Sequence, residues 1–141
     1  MIIDIGIDLD GTMTAIDLKN QNIRLPLWLC VILAPFTLFI PPRKAVIKKI
    51  QLMHEQGYRF VIITRRYDHF FCVWFTRLWL MLNHVPFIGL FCVGFEKGSK
   101  ERKLKIIRDE KVNAFVDSNQ SIIDFMEKNS VHAVASLDEV K

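Results

Sequence analysis

Apolar and polar positions fall along this chain in blocks that match alternating strands and helices. Residues 2–8 (IIDIGID) form an Ile-rich run that stops abruptly in acid, the mark of a buried strand. Residues 43–56 repeat apolar positions at Val46, Ile50 and Met53 with Ile47 beside them, while Lys44, Lys48 and Gln51 face away. That spacing predicts an amphipathic helix, stopped by Gly57. Residues 58–64 (YRFVIIT) predict a second strand, rich in β-branched and aromatic side chains. Residues 69–83 (HFFCVWFTRLWLMLN) predict a helix capped by Asp68 and apolar nearly all round, so it is expected to make a contact on its outer side too. Residues 86–95 predict a third strand, and 99–110 a basic helix with Leu104, Ile106 and Ile107 inward. Residues 114–117 predict a fourth strand. A helix through Ile122, Ile123, Phe125 and Met126 follows, capped by Ser118 or Asn119, and 131–136 predict a fifth strand.

This alternation implies an α/β fold: a three-layer, Rossmann-like sandwich with a central parallel five-stranded sheet and helices on both faces. Residues 1–141 are expected to form one domain, without repeat, low-complexity segment or linker. Two stretches stand outside the alternation. Residues 15–24 are polar and read as a turn between two brief extended pieces. Residues 25–42 (LPLWLCVILAPFTLFIPP) are uncharged and long enough to reach the threshold for a membrane span. Pro35 interrupts that stretch, Pro41 and Pro42 close it, and a span there would divide one sheet between two sides of a bilayer. Burial in the core, docking to a second subunit, or shallow membrane insertion are the remaining expectations.

Composition sharpens this picture in three places. The net charge of +4 is too mild to argue for nucleic acid, and no nucleic-acid partner is expected. The apolar share of 51%, with eleven Phe, exceeds what one small core absorbs, which returns attention to residues 25–42 and 70–82. Cys30, Cys72 and Cys92 lie in apolar runs without metal-ligand spacing. The chain also opens on its first strand without a charged leader, so the cysteines read as reduced thiols of a cytoplasmic protein.

Candidate chemistry gathers at predicted strand ends, where open parallel sheets place their ligands. The first strand ends in Asp8-Leu9-Asp10-Gly11-Thr12, the second in Thr64-Arg65-Arg66, the fourth in Asp117, and a basic segment spans 97–105. Two carboxylates beyond a buried strand are costly without a positive partner. A divalent cation that takes oxygen ligands, most simply Mg2+, supplies one.

The order DLDGT, then a strand ending in Thr, then Lys, then a strand ending in Asp resembles the haloacid dehalogenase superfamily of phosphohydrolases over roughly residues 2–126. The resemblance implies Asp8 as the nucleophile that becomes an aspartyl-phosphate. It implies Asp10 as the acid that protonates the leaving oxygen and then the base that activates water. Thr64 and a lysine would hold the phosphoryl oxygens, and Asp8, the Asp10 backbone carbonyl and Asp117 would hold Mg2+. Lys103 and Lys100 both suit the lysine, with Lys103 in the better register. Gly11, Thr12, Arg65 and Lys100 are further phosphate- or substrate-binding candidates, and Thr12 is expected to steady Asp8. Asp10 must carry a proton in the first step, a protonated state that neighbouring Asp8 is expected to favour. Ser118 replaces a second acid that many relatives carry, with Ser121 or Asn119 as possible substitutes for its oxygen. The short insert at 25–42 resembles a capless or minimal-cap member, with an open site for a bulky or lipid-linked phosphate. Trp28, Trp74 and Trp79, with Arg24, Arg43, Arg65, Arg66 and Arg77, would suit a membrane interface at the inner face of a membrane; a homo-oligomer contact through 25–42 and 70–82 is the competing reading. A non-catalytic module binding a membrane or protein partner through that patch is the alternative function.

Overall fold

Five strands, β1 (Ile3–Ile7), β2 (Tyr58–Thr64), β3 (Gly89–Cys92), β4 (Ala114–Val116) and β5 (Ala133–Val134), form one all-parallel sheet in the order β3-β2-β1-β4-β5. The computed structural model describes residues 2–15 and 25–140; the polar turn expected at 15–24, with Arg24, lies almost wholly outside them. Helices α1 (Leu27–Leu33), α2 (Lys44–Glu55), α3 (Phe70–Leu82), α4 (Ser99–Asp109) and α5 (Gln120–Lys128) complete the α/β arrangement. Strands β3 and β5 are shorter than their apolar runs, and at the carboxyl end each stops where its neighbour does, at Thr64 and Val116.

Side chains of a strand alternate between faces, and β2 shows the result directly. Phe60 and Ile62 join a core with Ile47, Ile50 and Met53 of α2 and Trp79 and Leu80 of α3. Val61 and Ile63 join a second core with Leu104 and Ile107 of α4 and Ile122, Ile123 and Met126 of α5. Helices α2 and α3 therefore cover one face, and α4 and α5 the other. The chain changes faces between β3 and α4, which makes the gap between β1 and β4 the topological switch point of the sheet.

Gly6 matters to this centre because a Cβ there would lie 2.9 Å from Phe115 Cδ2 and 3.1 Å from Val112. The absent side chain lets the Phe115 ring pack under β1. Gly6→Ala is expected to destabilise the protein by about 1–3 kcal/mol through overpacking, read as a lower denaturation midpoint at unchanged m-value.

Residues 25–42 do not form one helix. Helix α1 ends at Leu33, a 3-10 segment Ala34–Phe39 follows with Pro35 in its first turn, and no helix among the described residues is long and apolar enough to cross a membrane. The segment leaves and rejoins the sheet at nearly one place: Thr14 bridges Pro42, and Ala15 N–H donates to Pro41 O at 2.9 Å. It packs on α3, where fully buried Trp79 donates its indole N–H to Ile40 O at 3.0 Å. The nearly all-apolar α3 thus has two covered sides. Cys72, Thr76, Trp79 and Leu80 are buried, whereas Phe70, Trp74, Met81 and Leu82 remain exposed. His69, not Asp68, caps α3, its Nδ1 accepting the Phe71 N–H at 3.2 Å.

Candidate functional site

Asp8 and Asp117 occupy equivalent positions, one residue beyond β1 and β4, on either side of the switch point. Ile7 pairs with Val116, and Asp8 N–H donates to Val116 O at 2.9 Å. Both carboxylates are buried by the strands they end. The positive group between them is Lys103, on the inner side of α4 beside Leu104 and Ile107. Its Nζ, with no solvent exposure, donates to Asp8 Oδ1 at 2.8 Å and Asp117 Oδ2 at 3.0 Å. The Phe115 ring lies 5.4 Å from the same nitrogen. Lys100 lies apart, its Nζ bonded to Ser121 Oγ at the surface.

The ammonium stays charged in this setting. Burial pulls the Lys103 pKa down, but Asp8 and Asp117 outweigh it, and the net direction is upward from 10.5. A raised lysine pKa means that the folded state holds its proton more tightly than the unfolded chain. The stabilisation is complete below 10.5 and declines as pH rises through the higher folded value. Denaturation midpoints measured from neutral pH to beyond the lysine range are expected to show that alkaline decline, and Lys103→Met is expected to lack this component of it.

Asp10 lies in a different environment. Arg66 donates Nε to Asp10 Oδ2 at 2.9 Å and Nη2 to Oδ1 at 2.8 Å, while Nη1 reaches Thr76 Oγ1 of α3 at 3.1 Å. This fork–fork pair is nearly buried, and it fixes carboxylate and guanidinium in one plane. Burial lowers the Arg66 pKa and Asp10 raises it, with the balance upward, so the guanidinium remains a cation. The charge touching Asp10 is therefore Arg66, not Arg65, the arginine named among the substrate-binding candidates. Arg65 turns the other way, its guanidinium carbon 5.4 Å from the Phe95 ring centroid.

The remaining candidates are placed as follows. Thr64 is buried at the end of β2, its Oγ1 accepting the Arg66 N–H at 3.4 Å. Gly11 takes a left-handed φ of 80° in the turn after Leu9, and its N–H donates to Thr14 Oγ1 at 3.0 Å. Thr14 rather than Thr12 ties that turn; Thr12 Oγ1 is buried and has no hydrogen-bond partner among the described residues. Asn119 donates its N–H to Asp117 Oδ1 at 2.8 Å and caps α5 with its side chain, accepting from Ser121 N–H at 3.0 Å. The three cysteines are free, and burial raises all three thiols, Cys92 to about 12, so none has thiolate character at neutral pH.

Among the described residues no group of three His, Cys, Asp or Glu side chains is arranged to hold a metal ion. Two carboxylates close enough to share one ammonium nonetheless form a hard-oxygen pair, and Mg2+ is commonly held by one or two carboxylates with water completing its shell. In donor type the pair suits that ion, with Lys103 Nζ lying between the two oxygens.

The fold and these strand ends define a Rossmann-like α/β protein with an ionic cluster at its switch point. No family model matches the sequence, and no curated protein does. Two chains from structures of the Pnkp1/Rnl/Hen1 RNA repair complex share the fold, each with a TM-score of 0.70. One is 16% identical, with 94% of this chain and 41% of that chain covered; the other is 15% identical, with 94% and 45% covered. This chain thus spans less than half the length of either.

Proposed function

We propose that this chain is a magnesium-dependent phosphomonoesterase of the haloacid dehalogenase type, working through an aspartyl-phosphate on Asp8. The observation that carries the reading is the convergence of Asp8, Asp10, Lys103 and Asp117 from three chain regions onto the carboxyl ends of β1 and β4. In the first step, with Asp10 protonated beforehand, an Asp8 carboxylate oxygen bonds to phosphorus, the phosphorus–ester oxygen bond breaks, and Asp10 passes its proton to the departing alkoxide. In the second, water attacks phosphorus, its proton goes to Asp10, and the Asp8–phosphorus bond breaks to release phosphate. Dividing hydrolysis between a carboxylate and water replaces one difficult displacement by two easier ones.

Two anions meet in the first step, and Lys103 offsets their repulsion from within hydrogen-bond reach of Asp8. Arg66 fixes the orientation of Asp10; each carboxylate oxygen keeps a second lone pair for the proton it must exchange. Thr64, at the end of the neighbouring strand, would hydrogen-bond a phosphoryl oxygen. Asp8, the Asp10 carbonyl and Asp117 would hold Mg2+, which supplies charge neutralisation to the phosphoryl group when bound.

The test is phosphate release from an ester panel with Mg2+ and with chelator. The panel includes aryl phosphate, alkyl phosphates and a phosphorylated oligoribonucleotide, the last because the structural neighbours belong to an RNA repair complex. Mg2+-dependent turnover of any member supports the reading. Absence of turnover across the panel, together with co-flotation on liposomes or a stable homo-oligomer, favours the second reading. That reading is a non-catalytic module using its exposed apolar surface, in which Phe39 is 82% and Phe70 79% exposed.

A further inference from the structure

A cavity of about 300 Å3 opens directly beside Asp10, between the insert at 25–42 and α3. Its polar end is the Asp10–Arg66 pair; its walls come from Leu33, Ala34, Phe36 and Ile40 on one side and Phe95 on another. The hydroxyls that reach it are already committed. Tyr67 donates to Leu25 O at 2.6 Å, Thr37 to Ala34 O at 2.6 Å, and Thr76 to Cys72 O at 2.8 Å. The Cys30 and Cys72 thiols, raised by burial, are neutral. Beyond the ion pair the lining is therefore mostly carbon, and its hydroxyls have already donated their protons. The cavity is about twice the volume of an engineered apolar cavity that holds one benzene ring.

The group that a general acid protonates is the oxygen of the departing alcohol, so whatever carbon skeleton that oxygen bears lies next to Asp10. We infer that this cavity is the leaving-group pocket and that the substrate is the phosphate monoester of an apolar alcohol, with a skeleton of roughly naphthyl size or a chain of about ten carbons. The inference rests on the phosphomonoesterase reading and adds the substrate class to it. A polyol bound there would find no free hydroxyl donor among these side chains and would set most of its surface against carbon, which disfavours it.

The experiment is a series of n-alkyl monophosphates from ethyl to decyl, with 1-naphthyl phosphate, glycerol phosphate and a phosphorylated oligoribonucleotide, assayed for kcat/KM with Mg2+. Burial of each methylene is expected to raise kcat/KM by about two- to fourfold until the cavity is filled, and glycerol phosphate is expected to fall below propyl phosphate. Leu33→Asp, which brings a charge to the cavity wall at a position 40% exposed, is expected to flatten the chain-length dependence. Presenting decyl phosphate free and in phosphatidylcholine vesicles separates a dissolved ester from a membrane-held one, and faster turnover in either form supports the inference. A flat series, or an oligoribonucleotide or glycerol phosphate hydrolysed fastest, overturns the pocket assignment and leaves the phosphatase reading standing. Calorimetry on Asp8→Asn covers the case of no turnover. Decyl phosphate binding with a negative heat-capacity change, where ethyl phosphate does not bind, retains the pocket. Equal or absent binding of both removes it.

Discussion

Asp8→Asn is expected to lower Mg2+-dependent phosphate release by about four orders of magnitude or more, the scale seen when a covalent nucleophile is removed. An amide nitrogen and a neutral carbonyl cannot replace an anionic oxygen that must form a bond to phosphorus. The fold tolerates the change: the amide oxygen still accepts from Lys103, and Lys103 keeps its bond to Asp117 at 3.0 Å. Loss of turnover with a thermal midpoint close to that of the wild type therefore reports chemistry rather than unfolding. Acid quenching with radiolabelled ester gives a second reading. Label is expected to remain on the wild-type chain and to be absent from Asp8→Asn. Turnover that persists in Asp8→Asn overturns the assignment of the nucleophile.

Lys103→Met is expected to be the most destabilising change at the site. Methionine fits the volume of the buried stem but leaves Asp8 and Asp117 facing each other in the interior with their shared cation gone. Breaking a buried ion pair from one side costs about 3–5 kcal/mol. In a chain of this length that lowers the melting temperature by about 10–20 °C. Activity is expected to vanish with it, since the same nitrogen offsets charge at Asp8. The two effects come apart in the triple variant Asp8→Asn/Lys103→Met/Asp117→Asn, which removes both carboxylates with the ammonium. Its stability is expected to return most of the way while activity stays absent. A single Lys103→Met variant as stable as the wild type overturns the view of Lys103 as the cation that the switch point requires.

The elements were legible because their causes are local. Alternating strand and helix periods, the stop at Gly57 and the break at Pro35 all act over one or two turns of chain. They also sufficed for the parallel sheet, since β-α alternation leaves few other ways to bury every apolar face. The apolar runs overestimate β3 and β5 because such a run records burial, whereas the carboxyl end of each strand is set by the reach of the neighbour it pairs with. Asp68 is the residue type that suits a helix start, yet α3 begins one residue later than expected, at Phe70, which makes His69 its cap.

At the site, the sequence by itself determined that acids end the first and fourth strands, and hence that two carboxylates meet wherever those strands are neighbours. It left Lys103 and Lys100 open, and it put Arg65 rather than Arg66 among the substrate-binding candidates. Tertiary structure decided both, for one physical reason. Residues three apart on a helix sit about a turn apart along its axis, and residues adjacent after a strand differ in direction, so each meets different neighbours. Only the packed neighbours show which direction leads to an anion: Lys103 enters between β1 and β4, whereas Lys100 points to Ser121 on the surface. Arg66 turns toward Thr76 and Asp10, and Arg65 toward Phe95. The insert at 25–42 tells the same story. Its composition announced apolar surface, but only its packing against α3 set part of that surface around a cavity at Asp10 and left the rest facing outward.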